Sequence, residues 1–281
     1  MKVRVITGVV AVCILIPVLL LSEYIIFPLA IGVVTVISLY EMFKCIGMEK
    51  KLFLTVPMYL FAAAAPILIR YNVFGNNAAF ALFAFICAAF YLIYLFTNIV
   101  WSHGKVVFSE AITLFTMSVY IIAAMCFIVY VRFYGEVGKY LYLLIFLGSW
   151  MTDIFAYFTG FLFGKHKLIE DVSPKKTIEG SIGGILFSAA SFVVFGIIVN
   201  KISDLDANLI FLAISGVILS IVAQIGDLIM SVIKRHYKIK DFGKIFPGHG
   251  GMLDRFDSIS AVSLGLGAIC MFMTLSGISM L

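Results

Sequence analysis

Charge is what this sequence has least of: Asp, Glu, Lys and Arg make up 12% of its 281 residues, against 63% apolar residues. Soluble domains carry about 25% charged and about 45–50% apolar residues. The chain has too few polar side chains to cover a water-exposed surface, so a soluble globular fold is excluded. Cysteine is sparse too. Cys13, Cys45, Cys87, Cys126 and Cys270 stand singly, form no CxxC pair and avoid the charged stretch near the C-terminus. That spacing excludes a disulfide framework and a cysteine metal site, leaving small apolar packing residues. Also missing is any alternation of apolar and polar residues over ~10-residue strands, the mark of a transmembrane barrel. No GxxxxGK[ST] phosphate loop occurs either.

Long apolar runs are what the sequence has in abundance. Spans of ~20 residues, enough to cross a bilayer core, recur near 5–22, 24–43, 52–69, 78–99, 108–131, 139–163, 179–199, 207–232 and 258–279. They are apolar all round and therefore helical. Lys2 and Arg4 precede the first run, but no small-residue cleavage site follows it. Ser22-Glu23 leads straight into the next span, so the run reads as a retained helix and not a signal peptide. The expected fold is all-α: a polytopic transmembrane protein of about nine helices, with a cytoplasm-facing polar cavity in its C-terminal half.

Nine helices put the termini on opposite faces. Of the 20 Lys and Arg residues, only Arg70, Arg132, Lys139 and Lys201 fall on one face. The remaining 16 lie at the N-terminus and in the loops near 44–51, 100–107, 164–178 and 233–257. Cation-rich loops stay in the cytoplasm, which places the N-terminus and these loops there.

Composition divides the chain in two. Residues 1–140, about five helices, read as a hydrophobic scaffold. Asn76 and Asn77 mark a turn, and Tyr91, Tyr94 and Trp101 suit an interfacial aromatic belt. Residues 141–281, about four helices and two cytoplasmic loops, read as the catalytic membrane region. Asp153 sits about ten residues from the end of its run, ~15 Å deep at ~1.5 Å per residue. A carboxylate there costs on the order of 2.5–3.5 kcal/mol and should face a polar cavity or a partner. Asp227 repeats the pattern two runs later.

Two loops could supply chemistry. In 164–180, Ser173 before Pro174 reads as an N-cap followed by a proline at the first helical position. Free N–H groups there, with Lys175, Lys176 and Thr177, would bind an anion; the alternative is a plain solvated basic loop. In 231–257, Lys234, Arg235, Lys238, Lys240, Lys244 and Arg255 face Asp241, Asp254 and Asp257. Cations suit a polyphosphate, and acids suit the divalent metal that accompanies it. Pro247-Gly248-His249-Gly250-Gly251 is glycine-rich enough to bring a nest of backbone N–H groups against phosphate. Asp254 and Asp257, three apart, share a helix face. A Mg²⁺ ion wants one or two carboxylates plus phosphate oxygens and water. Asp227 with Asp254 would supply that, leaving Asp257 to orient Arg255 or a neighbouring lysine. The alternative is a charged hairpin without chemistry.

The stretch from Ser231, Lys234 and Arg235, through Lys240, Asp241 and Gly243, to P-G-H-G-G-x-x-D-R-x-D ending at Asp257 resembles the signature of the phosphatidate cytidylyltransferase (CDP-diglyceride synthase) family. Upstream, Asp153 with Tyr157 and Gly160, Ser173 to Thr177 with Glu179-Gly180, and Gly226-Asp227-Leu228 match as well. Met230 stands where many relatives have an acid, and Lys165 where many have arginine. The resemblance covers residues 150–260. It implies transfer of CMP from CTP to phosphatidate, giving CDP-diacylglycerol and pyrophosphate, with Mg²⁺ and room for a second, monovalent cation.

On that resemblance Asp227, Asp254, Lys240 and Asp257 form the catalytic set, with Asp227 and Asp254 on the metal. Ser173, Lys175, Lys176, Thr177, Lys234, Arg235, His249, Gly250, Gly251 and Arg255 bind substrate, and Asp153 and Asp241 support them. The implied partners are CTP, phosphatidate and the bilayer, with no nucleic acid and with a homodimer allowed. The implied setting is a bacterial-type plasma membrane, with the site on its cytoplasmic face. The nearest alternative is another CTP-dependent lipid enzyme, a polyprenol kinase or a synthase acting on archaeal ether lipids; a kinase would leave CDP in solution. A transporter would show inverted repeats, and none is visible.

Overall fold

The computed structural model describes residues 2–281, with side chains from Ile6 onward; Lys2 and Arg4, counted above among the cytoplasmic cations, have side chains outside the described residues. Nine helices occur among these residues: α1 (Lys2–Leu20), α2 (Ile26–Cys45), α3 (Leu52–Arg70), α4 (Asn77–Trp101), α5 (Phe108–Arg132), α6 (Gly138–Phe163), α7 (Ile178–Ile202), α8 (Leu209–His236) and α9 (Leu253–Ser276). In a bilayer every backbone polar group must be satisfied internally, which apolar runs achieve as helices. Eight of the nine are long and apolar enough to cross a membrane; in α1 the apolar stretch Ile6–Leu20 is shorter. Leu20, Phe161, Leu186, Ile210 and Leu275 are exposed, as expected of a lipid-facing surface.

Side-chain caps fix several boundaries. Asn76 accepts from the Ala79 N–H at the start of α4, and Asn208 accepts from the Phe211 N–H at the start of α8. Helix α9 begins five residues before its apolar run, so Asp254 and Asp257 lie in its opening turns.

Two expectations are corrected. Ser173 is not a helix cap. Residues Ser173–Thr177 form strand β2, paired antiparallel with β1 (Lys167–Ile169) in the register Lys167↔Thr177 and Ile169↔Ser173. The fold is thus helical with one added hairpin. Proline suits such a two-stranded ribbon because both strands are edges. The cap is Thr177, whose hydroxyl accepts from the Gly180 N–H at 3.1 Å. Tyr91 is not a lipid-exposed belt residue either: it is buried, and its hydroxyl donates to the Leu54 carbonyl at 2.6 Å. Tyr94 and Trp101 are exposed.

The chain forms two compact units, Met1–Val129 with Ile239–Arg255, and Tyr130–Lys238 with Phe256–Leu281. These units follow packing and not composition, so the glycine-rich part of the charged stretch belongs with the N-terminal helices. Phe27, Leu39, Met42, Phe43, Leu54 and Leu114 are fully buried in the first unit. In the second, Phe192 packs against Gly148 and Gly216, at positions where an added Cβ would lie 3.3 and 3.1 Å from its ring.

Candidate active site

In the second unit, α8 carries Asp227, Ser231 and Lys234 at spacings of four and three, one stripe of a helix. Asp227 is half-buried. Its Oδ2 lies 2.5 Å from the Lys176 Nζ, and the Ser231 hydroxyl donates to Oδ1 at 3.5 Å. Next to it, Gly226 lets α9 come close: a Cβ there would lie 2.4 Å from the Ala261 Cβ and 3.2 Å from the Asp257 carbonyl oxygen. That approach brings the half-buried Asp257 within electrostatic reach of Asp227, Lys234 and Asp153. The Ser258 hydroxyl donates to Asp153 Oδ2 at 3.4 Å. Asp153, Asp227 and Asp257 thus gather with Lys176 and Lys234, three carboxylates against two ammonium groups.

Lys176 reaches this cluster because of how its hairpin is mounted. Glu179 receives the His166 N–H at 3.3 Å and pairs with the His166 ring Nδ1 at 2.6 Å, and Lys167 Nζ donates to the Pro174 carbonyl. Below the hairpin, α7 lies tight against α6 on Gly180, Gly183 and Gly184. Added Cβ atoms there would meet the Ala156 carbonyl at 2.6 Å, the Thr159 hydroxyl at 2.2 Å and the Thr152 carbonyl at 3.0 Å. Small residues four apart allow such close helix approach in membranes. Strand alternation then separates two lysines that the sequence grouped together. Lys176 is half-buried against Asp227, while Lys175 is exposed.

The first unit contains the glycine-rich segment. Asp254 is buried, and its Oδ2 accepts the Phe242 N–H at 2.8 Å and the Gly251 N–H at 2.9 Å. Gly248 and Gly250 adopt φ of +79° and +89°, the left-handed region that glycine enters without penalty. The Phe246 N–H donates to the Gly250 carbonyl and the His249 N–H to the Phe246 carbonyl, which closes the turn. His249 Nδ1 lies 2.8 Å from the Thr7 hydroxyl. Lys240, Asp241, Lys244 and Arg255 are exposed, as is Arg235 in the second unit. The Gly251 N–H is turned onto Asp254 and is not part of an open nest.

Sequence reading missed Glu41. This α2 carboxylate is buried and accepts the Met252 N–H at 3.0 Å and the Leu253 N–H at 2.8 Å. The available signal was an acid inside an apolar run, a residue that in membranes marks function by default. Among the described residues no group of three or more His, Cys, Asp or Glu side chains is arranged to hold a metal ion. A Mg²⁺ ion that draws most of its ligands from phosphate and water does not need one.

Comparison with known proteins supplies an independent line. A sequence model of the cytidylyltransferase family matches residues 2–273. The phosphatidate cytidylyltransferase of Staphylococcus epidermidis is 34% identical over 262 residues, covering 93% of this chain and 96% of the relative. That of Staphylococcus haemolyticus is 34% identical over 264 residues, and that of Staphylococcus aureus 32% over 262, with the same coverage of both chains.

Proposed function

This chain belongs to the cytidylyltransferase family, and from that premise we propose that it transfers the cytidylyl group of CTP to phosphatidate, giving CDP-diacylglycerol and pyrophosphate. A phosphatidate oxygen forms a bond to the α-phosphorus of CTP, and the bond from that phosphorus to the pyrophosphate oxygen breaks. The nucleophile is already anionic, so no strong general base is required. Bringing two polyanions together is the obstacle, and positioning and charge neutralisation overcome it.

The observation that carries this reading is the group Asp153, Asp227 and Asp257 with Lys176 and Lys234. Its hard oxygen donors, in excess over the ammonium groups, fit Mg²⁺. Asp227 with Asp257 would hold the ion. Bound there, Mg²⁺ would offset the charge of the triphosphate and the departing pyrophosphate. Asp254, the second ligand expected from the motif, is supported in that role by the motif alone. Lys176 pairs with Asp227 before substrate arrives and turns to a phosphate oxygen afterwards, exchanging one anion for another. Lys234 neutralises charge from the same helix stripe, and Arg235 adds an exposed cation; a phosphate role for Lys240 and Arg255 rests on the motif alone. The excess of cations in one set of loops favours a site on the cytoplasmic face, where CTP is found.

The test is a membrane assay with labelled CTP and phosphatidate, with and without Mg²⁺. A labelled CDP-lipid and free pyrophosphate, both dependent on Mg²⁺, are the expected products. Unlabelled phospholipid with CDP in solution would identify a kinase and overturn the reading.

A further inference from the structure

Glu41 comes from the half of the chain whose composition offers least chemistry, yet it is bound directly to the signature segment. Its two oxygens take one N–H each, Met252 on Oε1 and Leu253 on Oε2. These donors open α9, where the first N–H groups of a helix lack intrahelical partners and carry partial positive charge. The cap is therefore supplied from 211 and 212 residues away.

Two glycines of the signature are cut to fit this carboxylate. A Cβ on Gly243 would lie 2.0 Å from Glu41 Oε1, and one on Gly251 would lie 2.4 Å from both oxygens. Asp254 holds the same segment from its other side through Phe242 and Gly251. Both carboxylates thus accept from consecutive parts of one loop, and the loop's shape follows from where they stand.

We propose that Glu41 is a positioning residue for cytidylyl transfer, fixing the segment Phe242–Leu253 so that the groups its signature assigns to substrate, His249 and Gly250 among them, are held in one arrangement. This rests on the transferase reading above. Glu41 acts through the loop and touches no reacting atom. Both of its contacts need an acceptor. A glutamine offers one accepting oxygen and turns an NH₂ group toward a backbone donor. The isosteric Glu41→Gln change therefore breaks the cradle without changing its volume.

The experiment compares wild type, Glu41→Gln and Glu41→Asp in lipid nanodiscs. It measures kcat and KM for CTP, the thermal unfolding midpoint, and hydrogen–deuterium exchange of the peptide covering residues 242–253. Displacing a loop by an ångström costs on the order of 100-fold. A kcat loss of that order is expected for Glu41→Gln, with faster exchange confined to this peptide and an unfolding midpoint near wild type. Glu41→Asp, which keeps both acceptors, should recover part of the rate. Wild-type kcat and KM in Glu41→Gln overturn the proposal. So does a rate loss matched by a fall in folded protein, with Glu41→Asp no better.

If Glu41→Gln does not accumulate, Gly243→Ala decides, because it keeps the carboxylate and displaces it. Lost kcat at a wild-type unfolding midpoint supports the proposal, and wild-type kcat overturns it. Wild type that makes no CDP-lipid would instead count against the transferase reading, and the exchange data would still report on the anchor.

Discussion

Asp227 stands at the junction of three interactions, with Lys176, Ser231 and Asp257. Replacing it with asparagine removes a charge while keeping the shape. Turnover of labelled CTP should fall by on the order of 10²–10³-fold, the range seen when one preorganised electrostatic group is lost, with the protein still folded. Lys176→Ala leaves Asp227 without its ion pair and removes a phosphate partner. It should raise the apparent KM for CTP, measured by varying CTP at saturating phosphatidate. Asp254 calls for a different test. Asp254→Ala strips two backbone N–H groups of their acceptor in a buried setting, at about 1–3 kcal/mol for each group. The expected outcome is a lower thermal unfolding midpoint together with lost activity.

Among the elements, the α6–α7 pair and the hairpin above it do most to place Lys176. Gly183 faces Thr159 so closely that an alanine Cβ would overlap its hydroxyl. Gly183→Ala should destabilise by about 1–3 kcal/mol, the usual cost of overpacking, and should reduce turnover because the hairpin moves with α7. Thr177→Ala removes the cap of α7 at a cost of about 1 kcal/mol. Thr177→Ser keeps the accepting oxygen and should retain most of that stability. Thermal unfolding in detergent ranks the three variants. Thr177, Lys175 and Lys176 were visible in the sequence as a basic motif. Their division into a cap, an exposed lysine and an inward lysine was not, because strand alternation depends on β1 pairing with β2.

For the whole molecule, the nine apolar runs of the sequence, if the shorter α1 crosses as well, and the cation asymmetry predict that the two termini lie on opposite sides of the membrane. A phosphatase fused after Leu281 should be active outside the cytoplasm, and a fluorescent protein fused there should stay dark. The opposite pattern would mean that the helix count or the orientation is wrong.

Helix number and approximate limits were legible in the sequence, because a run of apolar residues in lipid has no alternative to forming a helix. So were Asp153 and Asp227, since acids in apolar surroundings stand out wherever they pair, and Asp257 through its place in the charged stretch. The signature from Ser231 to Asp257 was legible too, together with the chemistry its residue types suit. Tertiary structure decided which of these residues meet. Gly226 and Gly183 act by what they let come near, and a glycine's neighbours are not written beside it. Glu41 was the clearest case. Its two partners lie more than two hundred residues along the chain, and no local pattern links a carboxylate to the start of a distant helix.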